Sequence, residues 1–217
     1  TENVRKKLEA TGVKVKVLTK EEAESELARI ENAQRQVGNS RMSKLDKVSR
    51  AIMNWLKNNT RDRRFEIELP AATQRKIRKE MGRDFDTHSI TANSVAHSKK
   101  NHGVGGEKNT TTSIPLRDED FALIPYIMTA PDNVIRGSYS TDGSESVRFY
   151  KNLSNGYVVV VEKEQKNSPD DMETITMWAE LSANVPNARN MRPSSTTSVT
   201  VTISPDDVAK IRKDAEN

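Results

Sequence analysis

The stretch Asn155-Gly156 followed by Tyr157-Val158-Val159-Val160-Val161 constrains the fold more tightly than any other part of this 217-residue chain. Asn-Gly supplies the positive φ angles that a two-residue hairpin turn demands. Four consecutive valines fit a central strand covered on both faces. The turn joins a strand over 146–153 to one over 157–163, and alternating residues predict two more strands at 134–139 and 172–178. The connections are short, so the sheet is expected to be mainly antiparallel.

Before Pro131 the apolar period is helical. Leu45, Val48, Ile52, Trp55 and Leu56 form one stripe of a helix that ends at Asn58-Asn59. Arg61, Arg63 and Arg64 follow on a loop, then a short strand over 65–69. Pro70 opens a helix that runs through Ile77 and Met81 and stops at Gly82. Residues 91–101 have helical spacing with little beyond Val95 to bury, and Gly103 stands at the C-cap. A helix over 115–130 carries Phe121, Ile124, Ile127 and Met128 on one face, and Pro125 must kink or divide it. At the start, residues 1–33 read as helix–strand–helix: Val13, Val15 and Val17 alternate with lysines, and Thr19 with Glu22 has the spacing of a capping box. Val37-Gly38-Asn39-Ser40 reads as a linker. Near the end, a strand around 199–203 precedes a helix capped by Ser204, with Pro205 at its first position.

The expected fold is therefore α+β. A small antiparallel sheet of four strands, or slightly more, is packed by helices, with an additional N-terminal helical or αβ region. Three regions follow: an appendage with its amphipathic helix (1–62), a central domain (63–185) and a C-terminal strand and helix (186–217). Hydrophobic residues make up only 34% of the chain, so a modest core with loosely attached segments is expected.

Function classes narrow on charge and on residues that are missing. A net charge of +4 fits a polyanionic substrate, because Lys and Arg neutralise phosphates. Without cysteine, disulfides, thiolate metal sites and cysteine nucleophiles are excluded. No apolar run approaches the roughly 20 residues of a membrane span, and no signal-peptide pattern opens the chain. Its first residue is Thr1, as expected of a piece of a larger protein.

His88, His97 and His102 are the only histidines and fall within fifteen residues. Their H-x8-H-x4-H spacing lacks the i,i+4 pair of helical zinc sites, so neither a metal nor another cofactor is expected. Acid–base chemistry fits better, since imidazole exchanges protons near neutral pH. RNA cleavage needs a base for the ribose 2′-hydroxyl, an acid for the departing 5′-oxygen and a cation beside the phosphate. His97 and His102 can supply the first two, and Lys99 and Lys100 the charge. His102, at a helix C-terminus, is placed where the macrodipole favours its protonated form. His88 reads as a loop residue. Tyr150 and Lys151 end one strand. Thr174 and Thr176, two apart on another, are expected to share a face and line a cleft, with Tyr150 available to stack on a base.

Several stretches in this order resemble the barnase–EndoU–colicin–RelE-like nucleases of phage and mobile-element polyvalent proteins. They are Ser94-Val95-Ala96-His97-Ser98-Lys99-Lys100-Asn101-His102-Gly103; Pro115-Leu116-Arg117-Asp118-Glu119-Asp120-Phe121 leading to Ile124-Pro125; Ala130-Pro131-Asp132-Asn133-Val134; the strands Phe149-Tyr150-Lys151 and Val158-Val159-Val160-Val161-Glu162; and Thr174-Ile175-Thr176-Met177-Trp178. The resemblance implies a metal-independent endoribonuclease with His97 and His102 as catalytic pair, and with Tyr150 and Thr176 as active-site sheet residues. Lys99, Lys100, Lys151 and Thr174 are the substrate-binding candidates. It further implies RNA as substrate, with tRNA among the candidates, an immunity or antitoxin protein as partner, and action in the cytoplasm of a bacterial host, as a toxin or mobile-element effector. The rival reading is a non-catalytic module that binds nucleic acid or protein. An ADP-ribosyltransferase lacks support, because no Arg, Ser-Thr-Ser and Glu set stands in the required strand order.

Overall fold

The computed structural model describes residues 19–61, 63–137, 145–164, 171–181 and 202–216. The expected strand at Val13–Val17, and most of the one around 199–203, lie outside these residues. The chain divides into two compact units, 1–40 and 41–217. In the first, Thr19 and Glu22 form the expected capping box: Glu22 N–H donates to Thr19 Oγ1 at 3.2 Å, and Thr19 N–H to Glu22 Oε2 at 2.8 Å. They open helix α1 (Lys20–Asn58). The backbone stays helical across Val37-Gly38-Asn39-Ser40 instead of forming the expected linker. A single glycine costs a helix only ~1 kcal/mol relative to alanine.

The second unit holds the sheet. Its elements are β1 (Arg64–Glu68), α2 (Ala71–Met81), β2 (Thr87–Thr91), α3 (Ala92–His102), α4 (Asp118–Phe121), α5 (Ile124–Thr129), β3 (Asn133–Arg136), β4 (Ser146–Asn152), β5 (Tyr157–Glu164), β6 (Asp171–Leu181) and α6 (Pro205–Asp214). The strand order is β1-β2-β6-β5-β4-β3. The α+β class is as expected, and so are the strands that became β3 to β6. The sheet is larger than four strands and mixed, because β2 joins β6 in parallel while the other neighbours run antiparallel. The strand that brings this about is Thr87–Thr91, where a loop is expected. His88, Ser89 and Ile90 are fully buried in it. His88 and Ser89 hid the strand, since polar residues in a central strand break the apolar pattern.

The hairpin forms at Asn155-Gly156 as expected, but its loop is the three residues Ser154-Asn155-Gly156, with Leu153 N–H donating to Tyr157 carbonyl at 2.9 Å, and of these three only Gly156 takes a positive φ. Gly156 adopts φ +81°, and Asn155 Oδ1 accepts from Tyr157 N–H at 3.2 Å. The 115–130 segment divides into α4 and α5, with Pro125 in the first turn of α5, where its missing N–H is harmless.

Helices cover one face of the sheet. Leu45, Val48, Ile52 and Trp55 of α1 join Phe121, Ile124 and Ile127, together with Val147, Phe149, Val159, Val161 and Met177 of the strands, in one core. On the opposite face, among the described residues, the buried apolar cluster is Tyr150, Val158 and Val160, with Ile135 and Trp178 packed on it. The four valines thus alternate between main core and this satellite cluster. No helix among the described residues is long and apolar enough to cross a membrane.

Candidate functional site

The sparsely covered face carries two rows of side chains across β4, β5 and β6. Arg148 lies opposite Glu162, and Glu162 opposite Thr176. Tyr150 lies opposite Val160, and Val160 opposite Trp178. The Arg148 guanidinium donates from Nε to Glu162 Oε1 at 3.1 Å, interacts with the Tyr150 phenol and sits 5.4 Å from the centre of the Trp178 ring. Glu162 Oε1 also accepts from Ser146 Oγ at 2.8 Å. Burial raises the Tyr150 phenol above its usual range. Its hydroxyl therefore stays protonated at neutral pH.

Helix α3 brings His102 to this face. It follows β2 without a loop, and Thr91 Oγ1 caps it by accepting from Ser94 N–H. Past Glu173, β6 no longer pairs with β2, which leaves its outer edge for α3 and the following loop. Ser98 Oγ accepts from Met177 N–H at 3.2 Å, and Ile114 N–H donates to Ala179 carbonyl at 3.1 Å. The edge groups are thereby satisfied. At the C-terminus of α3, His102 packs against Trp178 with ring centres 6.0 Å apart. Trp178 so touches both His102 and Arg148.

The turn after α3 holds His102 in place through close backbone approach. A Cβ on Gly103 would stand 2.5 Å from the Lys99 carbonyl oxygen, and one on Gly106 2.8 Å from the His102 nitrogen. Gly103 is the C-cap, as expected, though with φ −72° its role is space and not a left-handed backbone.

Burial drives the His102 imidazole down to about 4, and the charges of Lys108 and His97 push the same way. These effects outweigh the helix dipole that was expected to favour protonation, worth roughly 0.3–1 kcal/mol at an exposed site. The resting imidazole is neutral at pH 7 and is suited to accept a proton. His97 is exposed, and Asn101 Nδ2 donates to its Nε2 at 2.8 Å. Five residues separate it from His102, about 140° around the helix, so the two rings leave α3 in different directions.

Of the remaining candidates, all but Thr176 lie apart from this face. Lys151 is buried on the helix-covered side, where its Nζ donates to Ala130 carbonyl at 2.8 Å, Asp132 Oδ1 at 3.0 Å and Asp214 Oδ2 at 2.7 Å. Those acceptors satisfy all three ammonium protons. Thr174 was expected to share a face with Thr176. A register shift between Glu162 and Lys163 overturns that: Thr176 lies opposite Glu162, and Thr174 opposite Lys163. Successive β5 residues face opposite ways, so the bulge separates the threonines. Thr174 donates to Ser89 carbonyl at 3.3 Å, beside the buried Lys163. Thr176 faces the site, and its buried Oγ1 has no hydrogen-bond partner among the described residues. His88 is enclosed near Lys163, with Nδ1 3.3 Å from Nζ. Burial holds it well below the usual imidazole range. Lys99 and Lys100 are exposed and pair with Asp118 and Glu107 at 2.9 and 3.4 Å.

Arg148, Glu162, Trp178 and Asn101 were not among the expected site residues. Arg148 shares its face with Tyr150 by alternation, and counting outward from the Asn155-Gly156 turn sets Glu162 opposite it. Among the described residues no group of three or more His, Asp or Glu side chains is placed to hold a metal ion.

A small α+β fold, with an Arg–Glu pair, a buried tyrosine and a desolvated histidine around one tryptophan, defines a candidate site for phosphate chemistry. The family model described as phage-Barnase-EndoU-ColicinE5/D-RelE like nuclease3 matches residues 71–185, and the chain belongs to that nuclease family. No curated protein and no solved structure matches the chain.

Proposed function

We propose that this nuclease is an endoribonuclease that uses the ribose 2′-hydroxyl as nucleophile, without a metal ion, at the sheet face around Trp178. The observation that carries the reading is that one indole touches both a neutral imidazole, His102, and a guanidinium, Arg148. The reaction needs a proton acceptor and a fixed cation next to one another. His102 takes the 2′-hydroxyl proton as the oxygen attacks phosphorus. Arg148, held by Glu162, faces the charge that grows on the non-bridging oxygens. A second group must return a proton to the 5′-oxygen as the P–O bond breaks, and His97, on the same helix with Nε2 engaged by Asn101, is assigned that step through Nδ1. The products are a 2′,3′-cyclic phosphate and a free 5′-hydroxyl. Tyr150, buried beside Arg148, supplies a protonated hydroxyl, and Thr176 lies opposite Glu162 in the same row. The mildly basic chain favours a polyanion throughout, with tRNA the first substrate to try.

Total RNA and tRNA incubated with the protein in EDTA should yield 2′,3′-cyclic phosphate ends, and His102→Ala should slow cutting by 10²–10⁴-fold. If neither RNA is cut, or if His97→Ala and His102→Ala bind and act like wild type, the proposal fails. Salt-dependent RNA binding without cutting would favour the non-catalytic module instead.

A further inference from the structure

The stripe of α3 facing away from β6 builds a second cavity. Ala92, Ala96, Lys99 and Lys100, spaced i, i+4, i+7 and i+8, form one wall. Trp55, Leu56, Asn59 and Arg61 complete a cavity of about 300 Å³. This is at the small end of the ~300–1,000 Å³ range of ligand pockets. Its floor is apolar: Trp55 is buried and stacked on Phe65 with ring centres 5.5 Å apart, while Leu56, Ala92 and Ala96 supply methyl and methylene surface. Its mouth is basic. Arg61 is exposed and makes no ion pair among the described residues. Lys99 and Lys100 are tied to Asp118 and Glu107 only by exposed pairs, which contribute little and exchange readily for another anion.

An apolar floor under a cationic mouth is the chemistry that accepts a nucleobase with its phosphate outside. The cavity shares helix α3 with the proposed acid and base, and Lys100 on its wall is three residues from His97 and therefore its neighbour on the helix surface. We infer that this cavity is a subsite for a nucleotide of single-stranded RNA flanking the cleaved bond, with the base over Ala96 and Leu56 and the phosphate at Arg61 and Lys100. The inference rests on the ribonuclease reading above. It gives Lys99 and Lys100 a substrate-binding role away from the reacting phosphorus.

A subsite of this kind rewards substrate length. Steady-state cleavage of a ribodinucleotide and of an eight-nucleotide single strand should be compared for wild type, Arg61→Ala and Ala96→Leu. Ala96→Leu fills the cavity without altering charge, and Arg61→Ala alters an exposed side chain that folding does not need. Wild type should gain in kcat/KM on the longer strand, and each variant should lose about tenfold of that gain through KM. Full retention of the gain by Arg61→Ala, or by a folded Ala96→Leu, overturns the subsite while leaving the ribonuclease reading intact. A wild type that cuts neither substrate overturns both.

Discussion

His102 is the residue whose chemistry the fold changes most. In sequence it ends a helix, where the macrodipole points to a cation. In the folded chain it is half-buried against Trp178, and its protonation is driven down to about 4. An imidazole NMR titration should place its midpoint near 4, well below the usual 6.5. The effect on stability follows in sign. His102 and His88 both have folded values below their unfolded ones, so the unfolded chain binds more protons as pH falls below about 6.5. Stability is full above that pH and falls through the window down to about 4. Melting temperatures measured from pH 7.5 to 4.5 should drop steadily on the acid side, and a rise there would contradict the assignment. Arg148→Ala should lower kcat by about 10²–10³-fold with little change in fold, as its pair with Glu162 is partly exposed.

At the scale of elements, the joint between α3 and the edge of β6 positions the chemistry. Ser98 Oγ is the acceptor for Met177 N–H in a fully buried setting. Ser98→Ala should cost about 1–3 kcal/mol and speed hydrogen exchange at Met177 more than at Val160. Unchanged exchange at Met177 would mean that the contact is idle. Gly103→Ala should destabilise by about 1–3 kcal/mol because the added carbon meets backbone. The Asn155-Gly156 hairpin, the Pro125 break and the Ser204 cap were legible because each depends on local backbone chemistry. Two features were not. The strand Thr87–Thr91 is hidden by His88 and Ser89, whose burial depends on Lys163, some 75 residues away in sequence. The bulge that separates Thr174 from Thr176 is invisible to a period-2 count, because pairing with β5 sets it.

For the whole molecule, every described residue of the main core lies between Leu45 and Ala215, inside the second unit. A chain beginning at Arg41 should therefore unfold in one cooperative transition and keep its nuclease activity. A broad, non-cooperative melt would show that residues 1–40 are needed for the fold. The sheet order also explains how much of the site sequence could give. The pairs Arg148–Glu162 and Tyr150–Val160 are cross-strand neighbours fixed by one hairpin, so that part of the site follows from the position of a turn, whereas Thr176 and Trp178 depend on the register of β6 on β5. The approach of His102 to Trp178 depends on α3 docking at the sheet edge, which no local pattern encodes.

The central claim is that the 2′-hydroxyl of RNA is the nucleophile at this face, and its most direct test is a single atom. An oligoribonucleotide cut by the protein in EDTA should be compared with the same strand carrying 2′-deoxyribose only at the cleaved nucleotide. The all-RNA strand should be cut to a 2′,3′-cyclic phosphate and the substituted strand left intact at that position. Cutting of the deoxy-substituted strand there, or loss of all cutting in EDTA, would contradict the account.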